Sequence, residues 1–256
     1  MIIKNYLPST RLQPFIKAFM LIESQEGMQN RILPDASIIM AFSLQGKIKY
    51  TDNAAATTIP ATAITGLKRS FRVVTYPANG SVLLVKFTEA GATAFFDVPL
   101  HEFFNETIAA DAFIKQSTID IVHEQLAEAN DDPSRIAVIE QFLKSQYKER
   151  QSDKLVHAAL QQIVHNQGSI RIQELLSSLD ISQDPFEKRF RKVVGASPKQ
   201  YAEIVRLRSL IAHQPKASSL TDLALSFGYF DQAHFIKSFK SFTGQSPKQF
   251  FQSEFW

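Results

Sequence analysis

A chain of 256 residues without cysteine has no disulfide, no thiolate metal site and no cysteine nucleophile. Its length and 45% hydrophobic content are those of a folded chain of about two domains with ample core. The net charge of +3 is unevenly placed: residues 1–150 hold 15 Lys and Arg against 16 Asp and Glu (−1), and residues 151–256 hold 13 against 9 (+4), the sign a phosphate-binding surface requires.

The N-terminus carries Lys4, Arg11 and Lys17 at intervals and lacks the apolar core, about 7–15 residues long, of a signal peptide. No apolar run nears the roughly 18 residues of a membrane span. The expectation is a soluble, cytoplasmic protein with no membrane partner. Strand-like runs follow at Ala18–Ile22, Ser37–Leu44, Lys47–Thr51, Phe71–Thr75 and Ser81–Thr88, separated by turn signals at Pro34-Asp35, Gln45-Gly46 and Asn79-Gly80. They predict a β-rich, barrel-like domain over residues 1–115. From Ser117 to Tyr147 two helical patterns turn Ile121 and Leu126, then Ile136, Ile139 and Leu143, inward, with Asn130-Asp-Asp-Pro133 as the turn. This makes residues 116–150 a helical connector. Residues 148–154 contain no apolar member and read as the edge of an interdomain linker.

Residues 151–256 contain one unit twice. Phe186, Lys188, Phe190, Gly195 and Ser197-Pro-Lys-Gln200 return as Phe235, Lys237, Phe239, Gly244 and Ser246-Pro-Lys-Gln249, always 49 positions on. Each copy reads as a helix-turn-helix. In the first, Ile172, Leu175, Leu176 and Leu179 line a supporting helix, and Asp180-Ile181 breaks it. Ser182 stands at an N-cap, Pro185 lies in the first turn, and a helix over about 183–194 turns Phe186, Phe190 and Val193 inward, stopped by Gly195. In the second, Leu220, Leu223, Ala224 and Phe227 support, Gly228 turns, and Asp231 caps a helix with Phe235, Phe239 and Phe242 inward. Between the copies Tyr201–Ala212 reads as one helix with Ile204, Leu207, Leu210 and Ile211 apolar and Arg206 and Arg208 polar, ended before Pro215. The whole is α+β: a β-rich N-terminal part, a helical connector, and an all-α part with two helix-turn-helix motifs joined by a long helix.

Over about residues 155–252 these paired motifs, the Gly-x-Ser-Pro-x-Gln-Tyr/Phe tail after each, and Gly228-Tyr-Phe-Asp-Gln-Ala-His-Phe-Ile-Lys-Ser-Phe-Lys240 resemble the AraC/XylS family of bacterial transcription regulators. The resemblance implies double-stranded DNA as partner, a homodimer for which residues 116–150, if not a connector alone, would supply a pair of dimerisation helices, and RNA polymerase as a further partner for an activator. It places base reading on Asp184, Glu187 and Lys188 in the first helix and on Gln232, Ala233, His234 and Lys237 in the second. Lys suits guanine, Gln suits adenine, and Glu can accept from the cytosine amino group. Asp184 has a plain alternative role, favouring its own helix N-terminus. Arg191, Lys192, Lys199, Lys240 and Lys248 are phosphate candidates. The connecting helix would be a rod that sets the two reading helices in successive major-groove segments, about 34 Å apart in the ideal case. Leu83–Leu100 and Arg31-Ile-Leu-Pro-Asp35 resemble the sensor-like domain of one subgroup, which implies a small-molecule effector. Met40, Phe42, Tyr76 and Phe87 are its candidate lining, with plain core as the alternative.

Enzymatic readings fare poorly. None of the six histidines pairs at i,i+4, and His101-Glu102 is followed at the zincin position by Asn105. There is no Gly-x-Ser-x-Gly elbow or phosphate-cradling glycine loop. Neither catalytic residues nor a metal or cofactor is expected. Two alternatives stand beside the regulator: a ligand-binding or modifying barrel whose repeat half contacts proteins without DNA affinity, and a constitutive regulator whose N-terminal domain only dimerises.

Overall fold

The computed structural model describes residues 1–52, 55–213 and 219–252. Pro215 lies outside the described residues, as do the side chains of Leu223, Asp52, Ala55 and Thr221. Among the described residues eight antiparallel strands form one sheet: β1 (Ile2–Tyr6), β2 (Ile16–Ile32), β3 (Ile39–Gln45), β4 (Lys49–Asp52), β5 (Ala55–Thr58), β6 (Thr62–Thr65), β7 (Arg72–Phe87) and β8 (Thr107–Ala109). Hydrogen bonding runs β1-β2-β7-β3-β6-β8, with β4 joining β7 to β5.

The Asn79-Gly80 signal makes a bend here. Asn79 takes a positive φ of 55°, yet β7 runs on, and its pairing along one edge passes from β3 (Ser81 to Lys86) to β4 (Val73 to Thr75). Because β2 keeps its register with β7 from Ala18 to Ile32, the two expected strands are one. Strands β1, β5, β6 and β8 were not anticipated. Three of them are four residues or shorter, too brief for alternation to register.

Two helices cover the sheet, α1 (Gln116–Glu128) and α2 (Asp132–Gln146). Asp131 caps α2 by accepting from the Ser134 N–H at 2.8 Å. Ile136, Ile139 and Leu143 are buried as expected, but on α1 the inward set is Ile119, Val122 and Leu126, while Ile121 is 53% exposed. One residue is about 100° around a helix, so reading Ile121 for Val122 rotates the whole face. Both helices are tied to their own sheet, α1 through His123, whose Nε2 lies 2.7 Å from Thr62 Oγ1 of β6, and α2 at several points. Lys4 and Tyr6 each donate to Asp132 at 2.7 Å, the Ser9 N–H donates to Glu140 at 2.6 Å, and the Phe142 ring meets Phe42 edge-on at 5.7 Å.

The remaining helices are α3 (Lys154–His165), α4 (Ile172–Ser178), α5 (Gln183–Val194), α6 (Pro198–His213), α7 (Leu220–Ser226), α8 (Gln232–Thr243) and α9 (Pro247–Gln252). Among the described residues no helix is long and apolar enough to cross a membrane. The segment before α3 is held: the Lys148 N–H donates to Ala94 at 2.8 Å, Lys148 and Arg150 both pair with Asp97, and Asp153 caps α3.

Candidate nucleic-acid interface

Each helix-turn-helix closes on aromatic packing. Phe186 lies 5.6 Å from Phe190 and Phe190 5.8 Å from Tyr201; in the second copy Phe235 lies 5.6 Å from Phe239 and Phe239 5.1 Å from Phe250. The Tyr201 hydroxyl is buried without a hydrogen-bond partner, and burial pushes its pKa up. Phenylalanine holds the equivalent place in the second copy, so the ring alone serves the packing. The inward face of α5 is Phe186, Phe190 and Val194 instead of Val193, which is half-buried.

The ends of the reading helices follow local chemistry. Gly195 at φ 91° and Gly244 at φ 74° end α5 and α8, each donating its N–H to the carbonyl four residues back. Asp231 caps α8 by accepting from the His234 N–H at 2.7 Å, whereas Ser182 occupies the cap of α5 without a side-chain bond. The repeated Ser-Pro-x-Gln is itself a capping box. The Ser197 N–H donates to Gln200 at 2.9 Å and the Gln200 N–H to Ser197 Oγ at 3.2 Å, and Ser246 and Gln249 exchange the same bonds at 3.1 and 3.4 Å. This start, with Pro in the first turn, is why α6 begins at Pro198 and not Tyr201. The Ser-x-x-Gln spacing is the sequence signal that places this helix start.

Gln232, Ala233, His234, Lys237 and Lys240 are all exposed on α8, opposite buried Phe235, Phe239 and Phe242. On α5, Asp184, Lys188 and Lys192 are exposed. Glu187 and Arg191, both half-buried, pair with each other at 2.7 Å through one carboxylate oxygen, Oε1. Lys199 and Lys248 are exposed in the first turns of α6 and α9. The proposed effector lining is not gathered around one space. Met40, Phe42 and Phe87 belong to the main core, Tyr76 to a second cluster with Ile22, Ile48, Val74 and Val82, and burial pushes the Tyr76 pKa up to about 12.

Contacts between the sheet and the helical part were not legible in the sequence. The Phe71 N–H, just before β7, donates to the Phe242 carbonyl at 2.8 Å, and a Cβ built on Gly244 would lie 2.2 Å from the Phe71 ring. Arg31 sits 4.7 Å over Phe71 and reaches the Thr243 carbonyl at 3.4 Å. At the other copy, a Cβ on Gly195 would lie 3.0 Å from the Leu100 carbonyl. Both reading helices therefore rest their C-terminal ends on the sheet domain while their first turns stay exposed. Arg206 and Arg208, expected simply as polar positions, make contacts. Arg206 lies 4.4 Å over Tyr229, and Arg208 donates to the Pro34 carbonyl at 2.8 Å and to Asp35 at 3.1 Å. Arg31-Ile-Leu-Pro-Asp35 is thus an interdomain contact.

Burial of Asp35 raises its pKa, but Lys86 at 2.6 Å and Arg208 outweigh that and hold the carboxyl below its ordinary value of 3.8. Its contribution to stability is complete above that value and is lost as pH falls through the lowered one. Asp35→Asn is therefore expected to lower stability at neutral pH, with the gap from wild type narrowing below pH 3.8. Denaturant titrations of both proteins across that range check this; a gap independent of pH would contradict it.

The geometry is that of a tandem helix-turn-helix protein. The model of a helix-turn-helix domain matches residues 175–253 of this chain. A second model, described as a domain of unknown function, matches residues 4–109. The chain is 31% identical over 119 residues to the Msm operon regulatory protein of Streptococcus mutans, a match covering 44% of this chain and 42% of that protein. It is 34% identical over 104 residues to an HTH-type transcriptional regulator of Haemophilus influenzae, covering 40% and 35%. The matches thus span about two fifths of those relatives' lengths. Among solved structures, ToxT from Vibrio cholerae aligns with TM-score 0.47 and 10% identity over 91% of this chain and 96% of that one. The AraC-like transcriptional activator CuxR aligns with TM-score 0.32 and 11% identity over 88% and 91%.

Proposed function

We propose that the protein is a sequence-specific, double-stranded DNA-binding transcription regulator that reads two major-groove segments through α5 and α8. The observation that carries this is the duplicated unit whose two reading helices expose their first turns while α6, about 24 Å long by its residue count, joins them. Gln232, Ala233, His234 and Lys237, with Lys188, Asp184 and Glu187, form the base-reading set. Lys240, Lys192, Arg191, Lys199 and Lys248 meet phosphates. The role is binding and not catalysis, it is exercised in the cytoplasm, and RNA polymerase is the further partner of an activator.

In this reading the sheet domain acts on the reading helices through its seats at Phe71 and Leu100 and the Arg208–Asp35 contact. A small-molecule effector would act by altering those contacts. A cleft of about 450 Å³ lined by Arg69 and Ser70 of the sheet domain, Glu203 of α6, and Ser238, Ser241 and Phe242 of α8 lies beside the Phe71 seat of α8 and supports that route better than the packed Met40, Phe42, Tyr76 and Phe87. A homodimer belongs to the same reading. It is supported by exposed Ile2, Ile3 and Leu7 at and just beyond edge strand β1, while α1 and α2 are engaged on their own sheet.

The test is a pair of substitutions on α8. Gln232→Ala and Lys237→Ala should each weaken a selected site by roughly 1–3 kcal/mol, with non-specific affinity nearly unchanged for Gln232→Ala. Equal losses of Gln232→Ala on selected and scrambled duplexes would remove Gln232 from base reading.

A further inference from the structure

The constant offset of 49 residues allows the two reading helices to be compared position by position. Phe230, Ala233 and Ile236 of the second copy correspond to Ile181, Asp184 and Glu187 of the first. Steps of three residues put neighbours on a helix surface side by side, so each trio marks one oblique stripe over the start of a reading helix. The second stripe is apolar and the first is mostly acidic.

Phe230 is 87% exposed, the most exposed large apolar side chain among the described residues. It stands immediately before the cap Asp231, a place from which an apolar residue ordinarily folds back on the fourth helical residue, here Phe235. Tyr229 has taken that role, with its ring 5.2 Å from Phe235. In the first copy Ile181 is half-buried and packs on the core. Ala233 is exposed and Ile236 is 38% exposed, beside the polar Gln232, His234 and Lys237. Among the described residues nothing packs over Phe230, but a major groove would use this stripe, because thymine alone among the four bases presents a methyl group there. The carboxylates of Asp184 and Glu187 suit the opposite chemistry, accepting from the cytosine amino group.

We propose that Phe230 and Ile236, flanking Ala233, are specificity-determining residues that read thymine methyl groups in the segment bound by α8. This rests on the DNA reading proposed above. The experiment selects duplexes from a random library with the full chain, then resynthesises the selected duplex with deoxyuridine replacing one thymidine at a time, which removes the methyl and nothing else. At one or more positions in the part of the site weakened by Gln232→Ala, the wild type should lose roughly fourfold in affinity, the worth of one buried methyl. Phe230→Ala or Ile236→Ala should abolish that loss at its own position and leave the others. Both side chains are already exposed, so both variants should fold. Ile236→Glu, which installs the residue of the first copy, should move the selected base at one position from thymine to cytosine. Variants that keep every methyl dependence of the wild type, or a wild type that binds its selected duplex with no methyl dependence, overturn the inference and leave DNA reading intact. Failure of the wild type to enrich any duplex removes the DNA reading and this inference with it.

Discussion

Leu207→Pro is expected to abolish high-affinity DNA binding. Leu207 is fully buried in the middle of α6, where proline removes an intrahelical hydrogen bond and clashes with the preceding turn, at about 3 kcal/mol or more. The break falls between the two reading units, so they should lose their fixed relation, and affinity should fall further than with any single substitution on α5 or α8. Leu207→Ala separates this from simple loss of packing. It costs roughly 2–5 kcal/mol of stability but leaves the helix continuous, and under conditions where both variants are folded it should bind far better than Leu207→Pro. Circular dichroism and duplex titration of the two together decide it. A folded Leu207→Pro protein that binds normally contradicts α6 as a rigid spacer.

Gly168→Ala should be a strongly damaging small change. Gly168 lies between α3 and α4 at φ 76°, and a Cβ there would fall 2.2 Å from the Ala202 carbonyl and 2.5 Å from the Arg206 nitrogen, both backbone atoms of α6. Neither can yield as a side chain tip would. Left-handed strain and overpacking together should cost roughly 2–5 kcal/mol. Thermal unfolding checks this, and a melting temperature unchanged from wild type would show that the turn does not press on the connecting helix as described. By comparison Gly228, at φ 74° in the second unit, has among the described residues only the Ser169 side chain, 3.8 Å away, so Gly228→Ala should show mainly the backbone strain.

What could be read in the sequence was what is decided locally. The reading helices, their glycine stops and the Asp231 cap depend on residues within a few positions of one another, and α5 runs over the expected 183–194. The sheet was harder. Asn79-Gly80 carries the chemistry of a turn, but whether it turns or bends depends on β2 lying alongside without a break, and no local signal reports that. Ile121 and Val122 are equally apolar, and only the position of the sheet beneath α1 selects Val122. Interdomain contacts were furthest from view. Arg208 and Asp35 are 173 residues apart, and each looks in sequence like an ordinary surface charge. Of the interface residues, the polar ones on α8 could be assigned from the repeat and the resemblance. Phe230 and Ile236 received no role in the sequence, where apolar side chains carry no sign of being exposed.

The central claim, that this fold reads duplex DNA from its positively charged helical half, is tested most directly by titrating the full chain with a selected duplex and a scrambled one across a salt series. The expected result is binding to both at low salt, with log affinity falling against log salt by about 0.9 for each phosphate neutralised, and tighter binding to the selected duplex throughout. A folded protein with no salt-dependent affinity for either duplex would contradict it.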